Sequence, residues 1–423
     1  MNSVKLIIVG AGSRGSIYAK YAEHHPDQLQ IVGVAEPRQF YRERMATTHH
    51  IPAERVFDDW RALARQPKLA DAVVIATQDK MHTEPAVAFA NLGYHILLEK
   101  PMAPTIEECH RITDAARAND IILAVGHVLR YTRYTQKVKE IVDSGVLGDI
   151  VSIQRLEPVG YYHFAHSYVR GNWRNEAQSS FILLAKSCHD LDWIRYIMGE
   201  RCVEVSSFGN LYHFRKENQP PNAADRCLDC EYEPNCPYSA KKIYLERVRR
   251  GETGWPVNII TPDLTEEGVM KALREGPYGR CVYACDNDVP DHQVVNMLFE
   301  SGKTASFTMI AFTEVTHRRT RIFGTRGYLE GNGETLQLLD FLTDEVRTIE
   351  TSAPSDDALS GHGGGDYYLM KHFVEAVATN DPGKILSGPD ESLESHLMVF
   401  AAEQARRRGS VEKLADYWSQ SSS

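Results

Sequence analysis

The chain has 423 residues, of which 43% are hydrophobic and 25% are charged, and its formal net charge at pH 7 is −10. This composition is typical of a soluble globular protein that is long enough for two domains. The acidic balance argues against nucleic-acid or membrane partners, because nucleic acids and anionic membranes bind basic surfaces. No apolar run is long enough to span a bilayer, and the opening residues lack the pattern of a signal peptide. We therefore expect a cytoplasmic protein whose eight cysteines are mainly thiols or metal ligands.

The chain opens with an apolar strand at residues 5–9, and a glycine-rich turn follows directly. Gly10, Gly12 and Gly15 form a G-x-G-x-x-G pattern that encloses Ser13 and Arg14. In such a pattern one glycine permits the tight turn, one lets the backbone approach a pyrophosphate, and one allows close packing of helix on strand. The helix that follows would present free N–H groups and its positive dipole end to the phosphates. The pattern predicts a dinucleotide-binding turn.

The second predicted strand, residues 31–35, ends at Glu36. This is about the distance beyond the glycines at which a carboxylate accepts hydrogen bonds from a ribose 2′-hydroxyl. A carboxylate repels a 2′-phosphate, so Glu36 favours NAD. Arg38 and Arg14 are close enough in sequence to keep NADP as the alternative.

Up to about residue 125, short apolar strands alternate with helical segments. Further strands are predicted at 72–76, 95–99 and 121–125, with helices at 83–92 and 106–118. Continuous apolar strands separated by helices predict an α/β Rossmann domain over residues 1–125, with a parallel sheet covered on both faces. Its ligands would lie beyond the carboxyl ends of the strands.

Beyond about residue 150 the pattern changes to longer, alternating strands. One is predicted at 150–157, a hairpin at 294–299 and 304–312, and more strands between 320 and 349, before helices at 367–379 and 391–408. We expect an α+β domain over residues 126–423 with a large, mostly antiparallel sheet that is open on one face. Such a face usually docks against another subunit, which predicts a homodimer or homotetramer. The polar, Cys-rich segment from about 213 to 290 fits neither pattern and is predicted to be an insertion.

A second set of residues follows the glycine-rich turn: Ala76-Thr77, His82, Glu99-Lys100-Pro101 and Arg130. With that turn, the set resembles the glucose–fructose oxidoreductase and inositol dehydrogenase (Gfo/Idh/MocA) family. The resemblance covers residues 1 to about 200, and resumes more loosely from about 290 to 410, including His362-Gly-Gly-Gly-Asp366. The predicted cofactor-binding residues are Gly10, Gly12, Ser13, Arg14, Gly15, Glu36, Arg38, Thr77, His82, Glu99 and Lys100.

The resemblance implies catalytic roles for Lys100 and His189. Lys100 would sit beside the nicotinamide and hydrogen-bond a substrate hydroxyl, where an ammonium can stabilise a developing alkoxide. His189 would be the base for that hydroxyl, a role that suits a neutral imidazole near pH 7, and Asp192 lies one helical turn away. A core histidine bonded to backbone is the alternative for His189. Family dehydrogenases commonly carry Asp four residues before this histidine, where this chain has Ala185, followed by Lys186.

Residues 157–173 are dense in aromatic and titratable side chains. Aromatic faces stack on sugar C–H surfaces, while polar tips select hydroxyls or an anion, so the segment predicts a substrate pocket. An interdomain packing loop is the alternative. Arg170, Lys100 and Lys186 together could accept a carboxylate or sulfonate. The predicted substrate-binding residues are Tyr161, His163, His166, Tyr168, Arg170, Trp173, Lys186 and Asp192.

Five cysteines of the insertion form a separate group, Cys227, Cys230 and Cys236 followed by Cys281 and Cys285. The spacing suits a structural zinc held by the first three thiolates and by either Cys281 or Cys285. An iron–sulfur cluster is a weaker alternative, because nothing else suggests electron transfer. Unligated thiols packed within the insertion are the third reading.

These observations favour an NAD-dependent oxidoreductase that acts on a ring hydroxyl of a sugar, sugar acid or related polyol. The resemblance also leaves open an NAD-dependent glycosidase that works by transient oxidation, elimination, water addition and re-reduction. A nucleotide-binding sensor is a third class, although a sensor would not need both Lys100 and His189.

Overall fold

Two sheets carry the fold of this computed structural model, which describes residues 3–351 and 361–418. The first sheet has six strands, all parallel, in the order β3-β2-β1-β4-β5-β6. The strands are β1 (Val4–Val9), β2 (Leu29–Ala35), β3 (Val56–Phe57), β4 (Ala72–Ile75), β5 (His95–Leu98) and β6 (Leu123–Val125).

The strands of this sheet are buried on both faces, as the apolar runs predict. Every residue of β4 is buried, and so is every residue of β1 except Lys5. The strand order reverses between β1 and β4, and ligands of such sheets bind beyond the carboxyl ends at that point. The helices of this part are α1 (Ser13–His24), α2 (Gln39–Thr48), α3 (Trp60–Ala64), α4 (Thr83–Asn91) and α5 (Ile106–Ala118).

The second sheet has nine strands in the order β14-β13-β12-β11-β7-β10-β9-β8-β15, and only β7 and β10 pair in parallel. The prediction of a large, mostly antiparallel sheet is therefore confirmed. The strands are β7 (Ile150–Pro158), β8 (Cys202–Asn210), β9 (His292–Phe299), β10 (Thr304–Ile310), β11 (Arg319–Gly324), β12 (Gly327–Gly331), β13 (Thr335–Asp340), β14 (Glu345–Glu350) and β15 (Val411–Lys413).

Side chains alternate across this sheet, so one face packs on the core and the other is open. In β9, Val295, Met297 and Phe299 are buried, whereas Val294 is exposed. On the neighbouring β8, Phe208 is 61% exposed. The homodimer or homotetramer expected from this face stays a prediction.

Two long helices near the C-terminus pack back onto the first sheet. Leu369, Met370 and Phe373 of α13 share a buried cluster with β1 and α1, and α14 contacts α5 and β6. This return brings the start of α13 to the glycine-rich turn. The remaining helices are α6 (Arg133–Asp143), α7 (Tyr161–Phe164), α8 (Ile182–Ala185), α9 (Cys188–Met198), α10 (Glu246–Arg249), α11 (Val257–Ile260), α12 (Glu266–Glu275), α13 (Gly365–Thr379), α14 (Pro389–Arg408) and α15 (Ala415–Trp418).

The segment predicted as an insertion contains α10, α11, α12 and several shorter helical turns, and none of its residues belongs to either sheet between Leu211 and Asp291. The division at residue 125 stays a prediction, although the six-stranded sheet ends at Val125 and the nine-stranded sheet begins at Ile150. Within the described residues, no helix is long and apolar enough to cross a membrane.

Candidate functional site

The glycine-rich turn has the geometry of a nucleotide cradle. Gly10 has φ +91°, and a Cβ there would lie 2.5 Å from the carbonyl oxygen of Ala76. A Cβ on Gly15 would lie 2.0 Å from the carbonyl oxygen of Gly10, so helix and turn approach too closely for any other residue. Gly12 precedes α1, and no side chain of the described residues caps that helix start. The first-turn N–H groups of α1, including that of Ser13, are therefore suited to an anion such as a pyrophosphate.

Glu36 lies beside this turn and is almost fully buried. Its Oε2 accepts a hydrogen bond of 2.9 Å from the backbone N–H of Ala11. Arg38 donates to both carboxylate oxygens at 2.8 and 3.0 Å, and its side chain is 57% exposed. Burial alone would raise the pKa of Glu36, but the hydrogen bonds from Arg38 lower it below its usual value. The carboxylate therefore stays ionised where a ribose would lie, and Arg38 beside it is the cation that an NADP enzyme would need.

Arg14 is held in an ion-pair network at the end of the parallel strands. Its guanidinium contacts the carboxylates of Glu99 and Asp366 and the hydroxyl of Tyr18, which also donates to Glu99 at 2.8 Å. These contacts join the glycine-rich turn, the end of β5 and the start of α13. Arg14 is therefore committed to holding three segments together, which weakens its predicted role as a phosphate ligand.

Lys100 follows Glu99 at the same strand ends. The Lys100–Pro101 peptide bond is cis, and the Lys100 ammonium donates to the backbone oxygen of Ala185 at 2.9 Å. The backbone N–H of Lys100 donates to Glu99 at 2.7 Å. Lys100 therefore bridges the parallel sheet and the last residue of α8.

His82 holds two loops of the rim together. Its ring nitrogens lie 2.8 Å from the backbone oxygen of Pro101 and 3.3 Å from that of Thr77, and the side chain is buried. The hydroxyl of Thr77 donates to the backbone oxygen of Met81. Both residues thus shape the loop that follows β4, and His82 supports the rim through backbone contacts.

His189 lies near the N-terminus of α9, in a group of histidines. Its ring centre is 5.9 Å from that of His127 and 6.1 Å from that of His362. Burial, and then the charge of Lys100, hold the pKa of His189 well below its usual value. The Nδ1 atom of His189 has no hydrogen-bond partner in the described residues. His189 is thus a buried neutral imidazole beside Lys100, without a carboxylate to orient it.

Asp192 does not reach the site as a free carboxylate. It accepts two hydrogen bonds of 2.8 and 2.7 Å from Arg130, and both side chains are almost fully buried. The Nε2 atom of His127 lies 3.7 Å from the same carboxylate. The predicted substrate-binding role of Asp192 is therefore not supported, because its oxygens already compensate the buried charge of Arg130.

Lys186 takes part in a second buried network, at the end of β7. Its ammonium lies 3.2 Å from Glu157, which also pairs with Arg318 at 2.7 Å. Arg318 in turn shares Asp190 with Arg155. Burial lowers the pKa of Lys186 although Glu157 opposes the shift. The sequence predicts no role for Glu157 or Arg318. Their ion pair joins two segments that are far apart in the chain, so it is seen only in the folded structure.

The predicted substrate loop divides into two sets of residues. Tyr161 and Trp173 are partly exposed, while Tyr168 is buried at 6.2 Å, centre to centre, from both His163 and Trp173. Burial, and then the charge of Lys186, hold the pKa of His163 well below its usual value. The charge of Lys186 thus acts on His163, and the role of these four side chains in a substrate pocket stays a prediction.

His166 and Arg170 face the insertion instead. His166 is bonded to the Tyr244 hydroxyl at 2.8 Å and stacks on Tyr278 at 4.9 Å. Arg170 is fully buried and donates to the backbone oxygens of Arg280 and Tyr238 at 2.7 and 2.8 Å. The predicted anion site of Arg170 with Lys100 and Lys186 is therefore corrected. Arg170 anchors the insertion, and Arg318 takes the position beside Lys186.

Four of the insertion cysteines, Cys227, Cys230, Cys236 and Cys281, line one small cavity together with Arg170. The Sγ of Cys227 accepts a hydrogen bond of 3.4 Å from Arg170. Across the described ranges, no three His, Cys, Asp or Glu side chains are arranged to hold a metal ion. The zinc prediction for these four cysteines is not supported. Each cysteine of the chain is a free thiol in the structure.

His362 enters the site from the turn before α13. Its Nδ1 lies 3.1 Å from the Oδ2 of Asp366, and its side chain is 40% exposed. Sequence analysis noted this His-Gly-Gly-Gly-Asp segment without giving it a role. The sequence does show a histidine and an aspartate four residues apart with three glycines between them, and this spacing could have indicated that the two side chains form a pair.

Comparisons with known proteins agree with this arrangement. The family model described as the oxidoreductase family (Gfo/Idh/MocA), NAD-binding Rossmann fold, matches residues 4–127. The companion model, described as the C-terminal alpha/beta domain of the same family, matches residues 139–414. Together they cover most of the chain.

Individual relatives span either most of the chain or about half of it. The oxidoreductase YteT of Bacillus subtilis is 23% identical, over 86% of this chain and 87% of that protein. A myo-inositol 2-dehydrogenase of Thermotoga maritima is 26% identical over 49% of this chain, and a 2,7-anhydro-N-acetylneuraminate hydratase of Escherichia coli is 27% identical over 49%. The chain spans 59% and 53% of the length of these two relatives.

A solved structure shares the whole fold. An oxidoreductase from Agrobacterium radiobacter, in complex with NAD+, L-tartaric acid and magnesium, superposes with a TM-score of 0.72. It is 15% identical and covers 98% of this chain and 99% of its own. At this identity the likeness shows the fold alone, with both sheets in the same arrangement.

The buried neutral histidines predict that acid destabilises the protein. Burial lowers the pKa of His127 and His166 to about 3 and that of His396 to about 4. The unfolded chain binds these protons near pH 6.5, so their contribution is complete above pH 6.5 and is lost as the pH falls towards 4. These three groups alone predict a loss of about 4 kcal/mol in the free energy of unfolding between pH 6 and pH 5, and the lowered pKa values of His163 and His189 add to it.

Urea denaturation at pH 7, 6 and 5 measures this loss. The variant His166→Phe removes one of these histidines and should reduce the drop between pH 6 and pH 5 by about 1 kcal/mol, whereas the exposed His317→Gln should leave it unchanged. A free energy of unfolding that stays level from pH 7 to pH 5 would contradict the prediction.

Proposed function

The chain belongs to the Gfo/Idh/MocA family of oxidoreductases, and we propose that it is an NAD-dependent dehydrogenase of a ring hydroxyl in a sugar, sugar acid or related polyol. The observation that carries the proposal is that Lys100 lies close to both His189 and the glycine-rich turn. Arg14 of that turn pairs with Glu99, the residue before Lys100. Lys100 bonds to Ala185 at the end of α8, three residues before the start of α9, and the charge of Lys100 lowers the pKa of His189. The myo-inositol dehydrogenase among its relatives supports a polyol as substrate.

The residues present fit the cofactor. Gly10, Gly12 and Gly15 leave room for a pyrophosphate at the start of α1, and the buried carboxylate of Glu36 would receive the ribose hydroxyls. When bound, NAD accepts a hydride from the substrate carbon. We assign the dinucleotide to the cradle at residues 10–15.

The side chains of the protein must remove the proton of the reacting hydroxyl. Lys100 donates a hydrogen bond to the hydroxyl oxygen and stabilises the negative charge that develops on it. His189 is neutral, so it can accept the proton as the hydride leaves. Tyr161, His163, Tyr168 and Trp173 would contact the rest of the ring, with Lys186 beside them.

Lys100→Ala is expected to lower kcat/KM by about 100-fold or more, because it removes a charge that acts on the developing alkoxide. The measurement is NADH absorbance with NAD and a panel of cyclic polyols and sugar acids. Lys271→Ala, an exposed lysine of α12, is the matched control and should keep wild-type turnover. Unchanged turnover in Lys100→Ala would remove the catalytic assignment.

A redox-neutral glycosidase is the second candidate. Ala185 removes the aspartate that family dehydrogenases commonly place before the histidine, and His163 and His362 add further titratable groups around the site. One of the relatives, 27% identical over 49% of this chain, is named as a hydratase, which supports a reaction other than net oxidation. In the same assay, aglycone release from aryl glycosides that requires NAD without accumulation of NADH would select this candidate over the dehydrogenase.

Cofactor choice tests the role of Glu36. The unmodified protein should bind NAD more tightly than NADP, because the ionised carboxylate repels a 2′-phosphate. Glu36→Ala should narrow that preference by about tenfold, the value of a hydrogen bond to a charged group. Titration followed by intrinsic fluorescence measures both affinities, with the exposed Glu43→Ala of α2 as control. Tighter binding of NADP by the unmodified protein would overturn the assignment and give Arg38 the leading role.

A further inference from the structure

The turn that carries His362 has an unusual backbone. His362 has φ 50° and ψ 40°, and Gly363 and Gly364 follow with φ 65° and 85°, so three successive residues are left-handed. A histidine in this region costs about 1 kcal/mol relative to a right-handed one. Such residues cluster at functional sites, where the surrounding structure holds them in place. The turn ends at Gly365, where a Cβ would lie 2.4 Å from the backbone oxygen of Val128, so the start of α13 is packed tightly against the segment that follows β6.

The same turn creates an Asp–His pair. Asp366, in the first turn of α13, is almost fully buried, and one of its oxygens binds Arg14 while the other faces the Nδ1 of His362. Burial alone would raise the pKa of Asp366, but Arg14 and His362 hold it well below its usual value. The aspartate is therefore ionised throughout the neutral range. It fixes the tautomer that carries its proton on Nδ1 and leaves Nε2 of His362 to exchange protons.

His189 lacks such a partner. The charges that act most strongly on it are those of Lys100, His127, Arg318 and His362, and none of these four side chains is a carboxylate. Its residue is 4% exposed, whereas the His362 side chain is 40% exposed. An imidazolium at His189 is thus unfavourable and cut off from water. A proton taken up there needs a neighbouring group that can receive it and reach solvent.

We propose that the Asp366–His362 pair carries the substrate proton between His189 and solvent. The inference rests on the proposed dehydrogenase function. In each oxidation the hydride leaves with the cofactor, and the hydroxyl proton passes to His189, then to Nε2 of His362, and then to water. Asp366 stays ionised and positions His362. The two rings lie 6.1 Å apart between centres, a separation that one bridging water molecule can span.

In this relay, Asp366 provides the carboxylate that is absent at Ala185. The Asp–His relay is built from α13, at the far end of the sequence, instead of from the segment before α9. Because Asp366 also binds Arg14, the relay is coupled to the glycine-rich turn that holds the cofactor.

The test is chemical rescue of His362→Ala. On a polyol that the wild-type enzyme oxidises, kcat should fall by about 100-fold, as for loss of a proton-transfer group. Added imidazole should restore much of that loss in a concentration-dependent way, because the exposed position admits a small base. The NAD affinity of the variant should stay at the wild-type value. His317→Ala, an exposed histidine outside the site, is the matched control and should show neither loss nor rescue.

A second measurement examines the pair without turnover. Nitrogen NMR of the histidine side chains should show His362 as the Nδ1-protonated tautomer in the full-length protein, and Asp366→Asn should abolish that preference. Wild-type kcat in His362→Ala, loss without imidazole rescue, or an Nε2-protonated His362 would each overturn the relay. Failure of the wild-type enzyme to oxidise any polyol or sugar acid would instead overturn the dehydrogenase function, and the relay with it.

Discussion

The ion-pair network around Arg14 is the interaction on which the site depends. One guanidinium joins Glu99 at the end of β5 to Asp366 at the start of α13, 352 residues away from Arg14 in the chain. Both carboxylates are buried, so removal of the arginine would leave two uncompensated charges in a protein interior. The network therefore fixes the glycine-rich turn, the Glu-Lys-Pro segment and the C-terminal helix as one unit.

A second layer of buried ion pairs sets the charge of the histidines. Arg130 is neutralised by Asp192, and Arg155 and Arg318 share Asp190. Both carboxylates are already paired with arginines, so neither Asp190 nor Asp192 stabilises an imidazolium at His189. Lys100 adds to the effect, because its charge lowers the pKa of His189 further. The lowered pKa keeps the proposed base, His189, neutral and able to accept a proton. The same lowered pKa means that the protonated form of His189 is unfavourable.

The parts of this site that local sequence determines were predictable. The glycine-rich turn, Glu36 and Lys100 follow directly from strands, and the helix at 106–118 has the predicted bounds because an N-cap Thr105 and an apolar stripe are both visible in sequence. Arg318 and Arg170 were not predictable, because their partners lie on distant segments. Arg170 resembled a substrate ligand in its aromatic loop, yet its hydrogen bonds run to backbone oxygens of the insertion. The cysteine spacing likewise indicated zinc, whereas the structure arranges the thiols around that arginine.

The replacement at Ala185 now has a physical reading. Its backbone oxygen accepts a hydrogen bond from Lys100, a contact that is independent of the side chain and so survives the loss of an aspartate. An aspartate at position 185 would add a negative charge near His189. In this structure the negative charge is that of Asp366, which contacts His362, and His362 is the neighbour of His189. In the proposed relay, the anionic end of the proton path therefore lies on α13 instead of α8, and Asp366 there also pairs with Arg14. A chain built this way couples proton release to the integrity of the cofactor cradle, because both rely on the same carboxylate.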